Sequence, residues 1–370
     1  MQPAIPFFQF RDFPDGLQAQ ELEALVQAVQ HNQFILGPEV QAFEQEFGAF
    51  LGANVQVAGV GNGYDALVMA LQAAGVRAGT EVVVPSNSYM ATVNAVLQVG
   101  AAPVLAEPDA YTYNLTVASV EKVLTPKTKA ILPVHLYGQA CMMEPLLELA
   151  DKYNLPLIED AAQAHGATYK GQQAGTFGFC NAFSFYPTKN LGALGDAGAV
   201  VTANAEAAAF VRKYRNYGQA QKYVGEVVGI NSRLDELQAA VLRVKLRHLH
   251  LLNAERQRLA QIYLQELAAL GDLILPVTAP GCNHVYHIFN IRTKYRDALQ
   301  AWLKQQGIGT AVHYPVPVHL QPAYRFLNYK AGDFPVAEAL TQTSLSLPLF
   351  PGLTAAEQQA VVQSIKQFFT

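Results

Sequence analysis

The 370 residues are 51% hydrophobic and 15% charged, enough for a large core and more naturally for two domains than one. A formal net charge of −4 and a pI near 6.1, with lysines and arginines scattered along the chain, leave no broad basic surface, so no nucleic-acid partner is expected. Cys141, Cys180 and Cys282 form no CxxC pair, no run of about 18 apolar residues occurs, and MQPAIPFFQFRDFPDG lacks a basic segment ahead of a long apolar one; the expectation is a cytoplasmic protein without a membrane segment.

Between residues 54 and 203, short runs of β-branched and aromatic residues alternate with helical patterns, the signature of an α/β sheet. Seven strands are predicted, at 54–60, 81–86, 102–108, 130–136, 155–161, 181–186 and 198–203, with helices at 64–74 and 144–153 among the connections. Leucines at 234, 237, 242, 246, 249, 252, 259, 264 and 267 then predict a long interdomain helix over 233–270, kinked or broken along its length. After it come a strand in HIFNIRT, a helix in RDALQAWLKQQG and a last helix from Thr354, which compose a smaller α+β domain. The division expected is a large domain over 1–250 and a small one over 251–370, packed together because no low-complexity linker separates them.

In open α/β sheets, ligands bind beyond the carboxyl ends of the strands. At three such ends the sequence places unusual groups. Gly61-Asn62-Gly63-Tyr64 follows the first strand and opens a helix, whose free N–H groups and dipole suit a phosphate. Asp160 ends the LPLIE strand, and Lys189 lies just beyond NAFSFY. Taken singly these are a turn, a helix cap and a solvated loop lysine. Together they supply a phosphate site, an amine for an imine and an acid for a pyridinium nitrogen, which is what pyridoxal 5′-phosphate (PLP) requires of a protein.

EDAAQAHGA (159–167) followed by SFYPTKNLGALGDAGA resembles the fold type I nucleotide-sugar aminotransferases of the DegT/DnrJ/StrS type. Further blocks extend the resemblance over nearly the whole chain: GVGNGYDALVMAL, VPSNSYMATVNAV, EPDAYTYNL, PVHLYGQ, GINSRLDELQAAVL, HYPVPVHLQPAY and LSLPLFPG. It implies a large PLP-binding domain with a mixed, mostly parallel seven-stranded sheet flanked by helices, plus the small C-terminal α+β domain. It also implies that Lys189 is the covalent catalytic lysine, that Asp160 pairs with the pyridine nitrogen and that Gln163 contacts the phenolic oxygen. Ser184 and the backbone of Gly63 and Tyr64 would hold the phosphate, and Tyr89 would stack on the ring. Tyr64 stands where the family often has threonine, so only its backbone contact carries over. Asn231 matches an asparagine that reaches the phosphate of the neighbouring subunit, which implies a homodimer with shared sites.

Within the family, the blocks GNGxDAL, VPSNxY, EPDxxTYN, NSRLDELQAA and HYPxPxHLQ resemble enzymes that aminate C3 of dTDP-linked 3-keto-6-deoxyhexoses, with glutamate as amino donor. His313, Tyr314 and Tyr186 are the expected contacts to the hexose. The alternatives are a 4-aminotransferase acting on a UDP- or GDP-4-keto-6-deoxy sugar, or a non-catalytic PLP-binding regulator. A regulator would be expected to lose the lysine or the acid, and both are present. The glycines of GVGNGY give GxGxG rather than the dinucleotide GxGxxG, and the nine histidines form no HExxH or comparable ligand set, so neither nicotinamide nor metal is expected.

Overall fold

The computed structural model describes residues 4–52 and 54–370. Helices α1 (Leu17–Gln30) and α2 (Pro38–Leu51) lead into strand β1 (Gln56–Val60) and helix α3 (Gly63–Ala73). Pro38 opens α2 at the position where its missing N–H costs nothing. The Glu236 carboxylate accepts the N–H groups of Gly37, Glu39 and Val40 at 2.7–3.1 Å, closing the same helix end from far along the chain. Next come β2 (Glu81–Pro85), α4 (Met90–Gln98), β3 (Ala102–Ala106) and β4 (Thr128–Ile131).

Strands β3, β2 and β4 pair in parallel in that order. A second ladder runs from Asn181–Ser184 through Gly198–Thr202 to β1, with both pairings antiparallel. The predicted strand at 155–161 joins the two ladders as a run of parallel bridges, Ile131 to Leu157, Val134 to Asp160 and Asp160 to Ala182. Pro133 and Pro156 fall in this seam and carry no N–H, so the ladder thins there although their carbonyls still accept from Asp160 and Ile131. All seven predicted segments therefore lie in one mixed sheet. Because Gly198–Thr202 is antiparallel to both neighbours, β1 runs parallel to Asn181–Ser184. The carboxyl ends of β1, β2, the 157–160 segment and Asn181–Ser184 consequently share one edge.

The helix expected to be kinked or broken is continuous: Glu236–Glu266 runs 31 residues, about 47 Å at 1.5 Å per residue. Its interior contains neither glycine nor proline, the usual causes of a kink. The leucine pattern changes along the helix because the helix serves two cores in turn. Leu242, Leu246 and Leu249 pack with Phe43, Phe47, Phe183 and Phe185 under the sheet, whereas Leu259 and Tyr263 pack with Phe289, Leu303, Phe350 and Val361. The second core also takes Ile5, whose backbone pairs with Gly307 and Gly309 at 3.0 and 2.8 Å. Residue 250 thus lies inside a helix common to both cores, and the N-terminal segment packs with the C-terminal one. No helix is long and apolar enough to cross a membrane among the described residues.

Candidate active site

A cavity of about 540 Å³ opens at the shared strand edge, lined by Gly63, Tyr64, Tyr89, Asp160, Gln163, Ser184, Tyr186, Lys189, His313 and Tyr314. Ten of the eleven residues singled out from the sequence are therefore brought together. The eleventh, Asn231, is exposed and lies outside this cavity, next to Ser232, whose hydroxyl accepts the Gly61 N–H at 3.0 Å.

Lys189 is set by a turn in which its N–H donates to the Tyr186 carbonyl at 2.8 Å. The next residue is pinned: Asn190 donates to Asn253 Oδ1 at 2.8 Å and to the Val285 carbonyl at 2.9 Å. Burial pushes the Lys189 ammonium down to about 8, with the Asp160 charge opposing that fall. This raises the fraction of neutral amine at neutral pH, the form that attacks a carbonyl.

Asp160 is 5% exposed, and burial raises its carboxyl above the ordinary range. Donors hold the charge in place: Thr92 Oγ1 at 2.8 Å and the Ala162 N–H at 3.1 Å, with the Lys189 cation adding to them. Thr92 in turn shares a hydrogen bond of 2.7 Å with Ser88. Thr92 went unassigned in the sequence although it sits inside the quoted VPSNSYMAT block, because its role depends on a partner 68 residues away.

At the opposite end of the cavity, the Asn62 side chain accepts the Asp65 N–H at 2.8 Å and the Asn62 carbonyl accepts that of Ala66 at 3.2 Å. This cap leaves the first-turn N–H groups of Gly63 and Tyr64 for a ligand. Ser184 packs so closely that a Cβ on Gly63 would stand 2.4 Å from its own Cβ, so only glycine admits both. A helix N-terminus with a serine beside it suits a phosphate.

Gln163 is fixed from both sides: its Oε1 accepts the Tyr137 N–H at 2.7 Å and its Nε2 donates to the Tyr314 hydroxyl at 3.2 Å. One amide hydrogen remains for a phenolic oxygen. The Tyr137 hydroxyl donates to the His313 carbonyl, so this tyrosine, also unassigned in the sequence, locks the 313–314 segment onto the sheet edge. Burial drops His313 to about 4, leaving a neutral imidazole at neutral pH whose Nδ1 meets Ser346 Oγ at 2.8 Å. Tyr89 and Tyr314 lie with ring centroids 5.3 Å apart.

Glu159 and His165 take no part in the cavity. The Glu159 carboxylate is saturated by His135 Nε2 and the N–H groups of Gly175, Phe177 and Gly178, each at 2.7 Å. His165 is fully buried against Phe183 and Phe185. Among the described residues, no three His, Cys, Asp or Glu side chains converge as metal ligands would.

A family model for DegT/DnrJ/EryC1/StrS aminotransferases matches residues 15–366. The chain belongs to this family. It is 46% identical to a dTDP-3-amino-3,4,6-trideoxy-α-D-glucose transaminase of Streptomyces venezuelae, over 99% of this chain and 96% of that protein. It is 43% identical to a dTDP-3-amino-3,6-dideoxy-α-D-galactopyranose transaminase of Aneurinibacillus thermoaerophilus, over 98% and 99% of the two chains. A UDP-N-acetyl-3-dehydro-α-D-glucosamine 3-aminotransferase of Acidithiobacillus ferrooxidans is 42% identical, over 98% of each. Among solved structures, Streptomyces venezuelae DesV in complex with a ketimine intermediate superposes with a TM-score of 0.96 at 46% identity, covering 99% of both chains. Bacillus subtilis NtdA with bound PMP gives 0.89 at 32% identity, over 96% of this chain and 82% of that one.

PLP is the cofactor of this aminotransferase, and the residues fit it. The desolvated amine of Lys189, the donor-held carboxylate of Asp160, the spare Gln163 amide hydrogen and the Gly63–Ser184 cradle match the aldehyde, ring nitrogen, phenolic oxygen and phosphate in turn.

Proposed function

We propose that this aminotransferase carries an amino group from glutamate to C3 of a dTDP-linked 3-keto-6-deoxyhexose, giving the 3-amino-3,6-dideoxyhexose. The observation that carries the reading is the meeting of Lys189 and Asp160 in one cavity. The end-to-end likeness to transaminases named for dTDP-3-amino sugars narrows the substrate.

When bound, PLP supplies an electron sink for a substrate carbanion. Asp160, whose charge Thr92 and the Ala162 N–H support against its desolvation, would keep a proton on the ring nitrogen of the bound cofactor. Lys189 Nζ would take a proton from the donor's α-carbon and return it to the cofactor carbon on the other side of the shared nitrogen, and its lowered pKa lets it serve in both directions. Gly63, Tyr64 and Ser184 would anchor the phosphate, and Tyr89 and Tyr314 would flank the ring. His313, neutral and half-buried, and Tyr186, half-exposed at the rim, are placed to hydrogen-bond a hexose. Remote binding energy from the nucleotide diphosphate orients the ketone, which a free keto acid cannot do.

The substrate test incubates protein with PLP, glutamate and a panel of dTDP- and UDP-linked 3-keto and 4-keto sugars, followed by mass. Aminated dTDP-3-keto-6-deoxyhexose is the expected product, with weaker conversion of the UDP-linked sugar. Efficient amination of a UDP- or GDP-4-keto sugar alongside silence toward 3-keto substrates would overturn the regiochemistry.

A homodimer with shared sites is part of the proposal. Asn231 is exposed and outside its own chain's cavity, and Leu22, Val26, Val29, Phe34 and Ile35 present large exposed apolar side chains, as does Tyr223 at 84% exposure. Mixing Asn231→Ala with Lys189→Ala protein should create heterodimers with one intact site and activity above either parent. Heterodimers that form yet stay inactive would mean self-contained sites.

A further inference from the structure

Among the described residues, Lys189 is the one lysine lining the cofactor cavity, and no arginine lines it. An amino donor nevertheless brings a carboxylate on the carbon that gives up its proton, so this carboxylate has to be met inside the same cavity, beside Lys189. A desolvated carboxylate needs hydrogen bonds. Several candidate donors are committed elsewhere. Gln163 and Tyr314 bond each other at 3.2 Å, His313 Nδ1 meets Ser346 Oγ at 2.8 Å, and Thr92 donates to Asp160 at 2.8 Å.

His287 is uncommitted. It lines this cavity, half-buried, and its Nδ1 is shut away without a hydrogen-bond partner. A neutral imidazole carries one N–H, which is unfavourable at a nitrogen with no acceptor, so the proton belongs on Nε2, the edge left for the cavity. The segment is fixed from two sides. Ile288 N–H donates to the Tyr137 carbonyl at 3.3 Å, and the buried Arg256 donates Nη1 to the carbonyls of Tyr286 and His287, each at 3.3 Å. Burial and the nearby charges of Lys189 and Arg256 press the His287 imidazole well below its ordinary 6.5, leaving a neutral N–H donor in a positive field. The field that repels a proton from the ring attracts an anion to it.

We propose that His287 Nε2–H anchors the α-carboxylate of the amino donor beside Lys189, with the nearby Arg256 charge adding attraction from outside the cavity. The assignment rests on the transaminase reading above and places donor recognition in the one cavity where both half-reactions occur. Donor and ketosugar visit that cavity in turn. Only the donor carries a carboxylate on its reacting carbon, so the contact tells the two half-reactions apart.

The test titrates the PLP-loaded enzyme with α-methylglutamate, which keeps the α-carboxylate but has no α-proton to lose, and follows the cofactor absorption. Separate kinetics then time each half-reaction. His287→Leu removes the N–H, whereas His287→Gln keeps one on a neutral side chain. His287→Leu should weaken α-methylglutamate binding and lower kcat/KM for glutamate by about 10–100-fold, the range for losing a hydrogen bond to a charged group, and His287→Gln should recover most of that loss. The ratio of donor to ketosugar half-reaction rates should fall by a similar factor. A retained cofactor band marks an intact site, and where His287→Leu loses it, His287→Phe carries the same test; loss in both would mean that the ring holds the fold and would overturn the anchor. Wild-type affinity in His287→Leu, no recovery in His287→Gln, equal slowing of both half-reactions, or wild-type protein that binds no α-methylglutamate would overturn it too. Wild-type protein that binds the analogue yet aminates no ketosugar brings down the substrate reading alone.

Discussion

Lys189→Ala should yield protein without the visible absorption band of covalently held cofactor, and with turnover reduced by at least ~10²–10⁴, the usual contribution of a positioned acid–base group. The loss is expected to be large because one side chain would have two tasks, holding the cofactor aldehyde and moving the proton, and Lys189 is the one lysine among the described residues lining this cavity. Phosphate contacts at Gly63, Tyr64 and Ser184 remain, so noncovalent binding should persist. In the wild type, capture of the aldehyde by the apo protein requires the neutral amine. The capture rate should therefore rise with pH through about 8, where burial has placed the Lys189 ammonium, rather than near the ordinary 10.5. An unchanged band in the variant, or borohydride labelling at another lysine, would contradict the assignment.

Asp160→Asn keeps the size and the contact to Thr92 but removes the charge that holds a proton on the ring nitrogen. Both half-reactions should slow by ~10²–10⁴. A second effect separates this cause from a packing defect. Asp160 is the charge that supports the Lys189 ammonium, so its loss should move the midpoint of cofactor capture below about 8. Wild-type turnover, or an unmoved midpoint, would mean that Asp160 does not face the group proposed.

The parts of this site that were legible in the sequence sit at strand ends. Asp160 and Lys189 follow apolar runs, and a run's carboxyl end in an α/β sheet is where ligands bind, so their position was enough to bring them to one cavity. Gly63 was legible for the same reason, as a glycine opening a helix. Thr92 and Tyr137 were not, because each acquires its role from a contact with no local signature. Thr92 reaches across 68 residues to Asp160 and Tyr137 across 176 to His313. The long helix was misjudged as kinked because its apolar face shifts along its length. That shift reflects two cores packing on one continuous helix. The seam at 157–160 carried strand-like residues, and the prolines beside it thin its ladder to bridges without moving it from the sheet.

The central claim is tested most directly by following the nitrogen. Purified protein is supplied with PLP, ¹⁵N-glutamate and a dTDP-linked 3-keto-6-deoxyhexose, and the sugar product is read by NMR. The account predicts ¹⁵N bonded to C3 and an equal amount of 2-oxoglutarate, with neither formed by Lys189→Ala. Label at C4, or a sugar recovered unaminated while glutamate is consumed, would contradict it.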